Sequence, residues 1–136
     1  MKYQGLALLS AVTYPVFAAP IPALPENVEE AFKSYIGLPG LLVPIMQKAQ
    51  DKTSADAAAE PLHKSLPAVY EAREKLHRMP RMTPEQTQQI RQKYALQMRK
   101  EWGRMYEEIS RLQKERCYQS AALAEVFHLL CMMIEK

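Results

Sequence analysis

The chain is poor in the residues that staple or hinge small proteins. It holds two cysteines and four glycines in 136 residues, and only 8% of it is aromatic. Two cysteines cannot build a disulfide framework. The fold must therefore rest on apolar burial, for which the length suffices. No stretch alternates apolar and polar residues as a strand does. Beyond the first residues, no apolar run reaches the roughly 20 residues of a spanning helix. Motifs that carry chemistry are missing too. There is no HExxH, no glycine-rich phosphate loop and no supported Ser-His-Asp set. The histidines, His63, His77 and His128, have no second histidine at i+3 or i+4. No catalytic, cofactor or metal residue is assigned, and a non-enzyme is expected.

What is present begins with an export signal. Lys2 supplies a positive start, Gly5 to Val12 a short apolar run, and Val16-Phe17-Ala18 small or modest residues at −3 and −1 of a cleavage site. Residues 1–18 read as a cleaved signal peptide, which implies a periplasmic or secreted protein with no stable membrane span. Residues 19–26 follow as a proline-rich, extended arm. Residues 27–136 read as a single helical domain.

The helical reading comes from apolar spacing and caps. Asn27 and Glu30 form a candidate capping box for a helix over 27–36, which Gly37 ends. Two prolines and a glycine bend residues 38–44, and a short second helix stops near Asp51. Ser54 is the expected cap of an alanine-rich turn. Ser65 is the expected cap of a helix through Arg78 with Leu66, Val69, Tyr70, Arg73, Leu76 and His77 on its inner stripe. Residues 79–82 break the chain. Thr83-Pro84-Glu85-Gln86 is the strongest start signal, with a cap, proline at N1 and glutamine at N3. It opens a long helix, about residues 83–118. Ala95, Met98, Trp102, Met105, Ile109 and Leu112 form a seam there at four-three spacing. Gly103 is unfavourable in a helix, and its small size suggests close packing. Ser120 opens an apolar last segment, 121–134, read as a buried core helix or an oligomer interface. The fold class is all-α: a small helical bundle or hairpin with one long helix and an apolar C-terminal helix.

Charge and sulfur supply the remaining candidates. The stretch 73–104 is basic, and Arg91, Lys93, Arg99, Lys100 and Arg104 are candidate partner-binding residues for an acidic protein. Export argues against nucleic acid. His77, Met79 and Met82 offer a weak copper-type ligand set, with packing as the blander use. Cys117 and Cys131 lie about 21 Å apart on one straight helix at 1.5 Å per residue, too far to bridge. A bond within the chain needs a turn near Ala124. Free thiols, or reciprocal bonds across an antiparallel homodimer, are the other options.

Met82-Thr83-Pro84-Glu85-Gln86, followed by Gln88-Gln89-Ile90-Arg91, resembles the LTxxQ motif of periplasmic Spy/CpxP-like stress proteins. The methionine-rich basic helix that follows is similar as well. The resemblance covers about a quarter of the chain and one motif, with Met82 at the leucine position. It implies an exported, all-helical, often dimeric protein that binds unfolded clients or metal without enzymatic chemistry. Thr83 and Gln86 would then be structural motif residues. The expected function is protein binding as a chaperone or stress protein. The alternatives are an interaction subunit assembling through its apolar C-terminal helix, or a copper binder.

Overall fold

The computed structural model describes residues 24–135. The expected signal peptide lies outside them, as does most of the proline-rich arm. Four helices and no strand form among the described residues.

Helix α1, Glu26–Gln47, starts after Pro25 with no side-chain cap, so the expected Asn27–Glu30 capping box is not formed. Nor does Gly37 end it. The helix continues through Gly37, Pro39, Gly40 and Pro44, although proline lacks an N–H and crowds the preceding turn. Val28, Ala31, Pro39, Leu42, Val43 and Met46 show why: they line a continuous buried face. Burial along that face outweighs the local breakers. One helix therefore replaces the two expected.

Helix α2, Lys52–His77, is capped by Asp51 rather than Ser54. The Asp51 carboxylate accepts from the Ser54 amide at 2.8 Å, and the Ser54 hydroxyl accepts from the Asp51 amide at 3.0 Å. Ser65 is no cap either. It lies mid-helix and donates to the Pro61 carbonyl at 2.9 Å, the i−4 bond that interior serines make. Ala55, Ala58, Ala59, Leu62, Val69 and Ala72 face inward. On the expected stripe, Tyr70 is 60% exposed and His77 is exposed, whereas Val69 is buried. The buried face runs through Leu62, Ser65, Val69 and Ala72, and Tyr70 and His77 fall outside it.

Helix α3, Pro84–Lys114, begins as expected. The Thr83 hydroxyl accepts from the Gln86 amide at 3.1 Å, and the Gln86 side chain accepts from the Thr83 amide at 3.0 Å. Its seam buries Trp102, Met105 and Leu112 and half-buries Met98 and Ile109, but Ala95 is exposed. Gly103 also departs from expectation. A Cβ placed there meets nothing within 4 Å, so its small size serves no packing. The helix stops at Lys114, short of 118. Residues Arg116–Gln119 make one left-handed turn, with φ of 52°, 52°, 55° and 62°. The Ser120 hydroxyl then accepts from the Leu123 amide and opens α4, Ala121–Glu135.

Contacts between helices set the topology. From the N-terminal end of α1 to its C-terminal end, Glu29 meets Lys93, the Tyr35 carbonyl meets Trp102, and the Met46 and Ala49 carbonyls meet Arg111. Helices α1 and α3 are therefore parallel, with α2 antiparallel to both. Ser120, at the start of α4, donates to Asp56 near the start of α2, and Met133 lies beside Leu66 and Pro67. Helix α4 thus runs parallel to α2 but ends about half-way along it.

Two cores result. The larger joins Leu42, Met46, Leu62, Val69, Trp102, Met105, Leu112, Leu123, Phe127 and Leu130 across all four helices. The smaller holds Val28, Ile36, Ile90 and Tyr94 at the other end, with Leu24, Phe32, Met79, Met82 and Met98 packed against it. Arg111 ties the large core together. Its guanidinium donates to the Met46 and Ala49 carbonyls at 2.8 Å, to Tyr118 at 2.7 Å and to Glu108 at 2.7 Å. It thereby closes the C-terminal end of α1, whose last carbonyls have no helical partner.

Candidate functional site

Helix α4 ends before the bundle end made by α1, α3 and the α2–α3 connection, and no fourth helix lies there among the described residues. An apolar groove opens there, lined by Phe32, Met82, Thr87, Ile90, Arg91, Tyr94, Ala95 and Met98, with a volume of about 460 Å³. That is within the usual range of ligand-binding clefts. Ile90, Tyr94 and Met98 reach it because spacings of four put them on one side of α3. Phe32 comes from α1, its ring stacked on Tyr94 at 6.4 Å between centroids. Met82 comes from the connection just before the Thr83 cap. Thr87 and Arg91 are the polar members of the lining.

Beneath the groove the polar groups are fixed. The Tyr94 hydroxyl donates to the Glu29 carboxylate at 2.8 Å, and Lys93 pairs with the same carboxylate. These hydrogen bonds, that from Lys93 foremost, hold the Glu29 carboxyl below its ordinary value. Glu29 anchors α1 to α3 and leaves no free carboxylate in the groove lining.

The five basic candidates separate into two groups. Lys93 is taken up by Glu29, and Arg104 approaches Glu101 at 3.9 Å. Arg91, Arg99 and Lys100 are exposed and make no ion pair among the described residues. Arg91 lies on the groove itself. From Gln86 to Lys100 the helix contains no acid. Exposed Leu96, 77% accessible, stands among these charges.

The sulfur candidates pack in two places, the methionines on the smaller core and the cysteines on the larger. Met79 and Met82 are half-buried against the smaller core, and His77 is exposed. The methionines there fill gaps, as flexible thioethers do. Cys117 and Cys131 are free thiols. The chain turns at Arg116–Gln119, not near Ala124. Helix α4 then carries Cys131 about 15 Å along its axis from Ala121. Burial pushes the Cys117 thiol up, and burial with the nearby Glu135 charge pushes Cys131 up to about 11. Among the described residues no three His, Cys, Asp or Glu side chains gather as a metal site would require.

Two features escaped the sequence. The groove is assembled from α1, α3 and a connection, so no local pattern announces it. Ile90 and Tyr94, extending the seam two turns toward Thr83, were the available signal. Arg111 carries no local signal of its role, which depends on the carbonyls of Met46 and Ala49 opposite it. No family model, curated protein or solved structure matches this chain.

Proposed function

We propose that this chain is a non-enzymatic, exported protein-binding module, acting as a chaperone or stress protein of the kind its Met82–Gln86 motif resembles. One observation carries the reading: an apolar groove with Arg91 on its lining, a base that makes no ion pair among the described residues. Its occupant is a segment of another protein that inserts one or two large apolar side chains between Phe32, Ile90 and Met98. An acidic residue on that segment meets Arg91, and the exposed Arg99 and Lys100 farther round the same helix add long-range attraction. Charge complementarity selects this partner, since Arg91 on the rim repels basic segments and long-range attraction to the basic helix speeds encounter with acidic ones.

The test is suppression of aggregation of an unfolding acidic protein, followed by light scattering at low and physiological salt. Protection should weaken as the Debye length falls from about 30 Å at 0.01 M to about 8 Å at 0.15 M. It should be lost in the triple variant Arg91→Glu/Arg99→Glu/Lys100→Glu. Protection that ignores both salt and charge reversal would return these residues to an ordinary solvated helix face. A second reading, an interaction subunit assembling through its last helix, draws on Leu129 and Met132, which lie 42% and 43% exposed on α4. A stable stoichiometric complex broken by Leu129→Glu, with no aggregation protection, is the outcome that favours it.

A further inference from the structure

Nothing in the composition of the turn between α3 and α4 calls for a turn. Arg116, Cys117, Tyr118 and Gln119 all have positive φ, and none is glycine. L-residues avoid the left-handed region because Cβ crowds the following carbonyl, and successive left-handed residues are rarer still. From Arg104 onward the chain has neither glycine nor proline. The same four residues would extend a right-handed helix without steric conflict, and arginine and glutamine favour one. The turn survives because its surroundings hold it. Cys117 is buried, Arg111 bonds and overlies Tyr118, and Ser120 is bonded to Asp56.

What α4 packs on completes the picture. Its close backbone approach, among the described residues, is to α2 and to the turn, not to α1 or α3. It is attached to the bundle by one apolar face, Leu123, Val126, Phe127 and Leu130, and by the Ser120–Asp56 bond. If the turn straightens, that face and the face of α2 beneath it are both exposed to water. A second copy of the chain offers the identical α2 face and the identical Asp56.

We propose that two copies of this protein exchange α4: residues 116–119 become right-handed, α3 and α4 join into one helix, and each α4 docks on the α2 of the other copy. The joined helix, Pro84 to Glu135, is about 78 Å long at 1.5 Å per residue. Exchange restores the α2–α4 contacts and the Ser120–Asp56 bond between chains and relieves the left-handed backbone. It forfeits the burial of Cys117 and the Arg111–Tyr118 contact within the turn. Short hinges under strain favour such exchange. The proposal rests on the turn and on α4, and it is independent of the groove.

The full mature chain is refolded at high concentration as a mixture of Asp56→Cys and Ser120→Cys variants, then oxidised with diamide and peptide-mapped. Exchange predicts a disulfide joining position 56 of one variant to position 120 of the other, in a species of dimer mass. A second arm leaves those positions native and changes the hinge. Tyr118→Gly/Gln119→Gly accepts the left-handed turn and disfavours the straight helix, so it should lower the dimer-to-monomer ratio roughly tenfold or more. Gln119→Ala should raise it. A monomer at every concentration, a dimer without the 56–120 bond, or a ratio indifferent to both hinge variants overturns the proposal.

Discussion

The two ends of the bundle are built from the same helices and differ in what closes them. At one end α4 lies against α2, Arg111 seals the last carbonyls of α1, and the core crosses all four helices. At the other, α4 has already ended, and the smaller core of Val28, Ile36, Ile90 and Tyr94 has an open groove beside it. A helix of 15 residues beside partners of 22, 26 and 31 cannot cover both ends. The open end is the one that α4 does not reach. It is also where Arg91 lies, which makes no ion pair among the described residues. The larger core lies at the closed end and the candidate binding surface at the open one.

That contrast can be tested by breaking each end in turn. The largest loss should come at the closed end: Leu112→Ala, fully buried among all four helices, should cost about 2–5 kcal/mol in chemical denaturation. A loss below about 0.5 kcal/mol, typical of a surface site, would remove the closed core from the account. Arg111→Met should cost about 1.5–3 kcal/mol, because it strands carbonyls that a charged donor satisfies. At the open end, Thr83→Ala should cost about 1 kcal/mol through the lost cap. Gly37→Ala and Gly40→Ala have open space around the added Cβ, so each should stabilise the protein by about 0.5–1 kcal/mol. Reversing Arg99 and Lys100 should change stability by tenths of a kcal/mol only. If it changes stability as much as Leu112→Ala does, these residues belong to the fold and not to a binding surface.

Acid should weaken both ends together. Glu29 at the open end and Asp56 at the closed one both have carboxyls held below their ordinary values of 4.5 and 3.8, chiefly by hydrogen bonds from Lys93 and from Ser120. A carboxylate with a lowered folded value contributes stability that is complete above its unfolded value and lost as pH falls through the folded one. Melting temperature should accordingly stay level around neutrality and decline below about pH 4.5. A rise in melting temperature on acidification would show that neither carboxylate is favourably bonded.

The long helix and its start were legible because their causes are local. Thr83, Pro84 and Gln86 satisfy the first amides of α3 wherever the rest of the chain goes, and the apolar spacing of Trp102, Met105 and Leu112 needs only helical geometry to make a face. The same holds for Ser120 at the head of α4, and for the all-helical class, which follows from a chain without alternating segments. Tertiary structure decided whatever depends on a partner surface. Glycine and proline at 37, 39, 40 and 44 read locally as helix ends, yet the buried face from Val28 to Met46 runs through them, because packing against two helices outweighs backbone preference. Residues 116–119 read locally as helix, yet they turn left-handed, because closing α4 onto α2 buries Leu123, Phe127 and Leu130. The groove belongs to this second kind. Phe32 and Ile90 are 58 positions apart in the chain, and only the parallel packing of α1 and α3 brings the two to one surface.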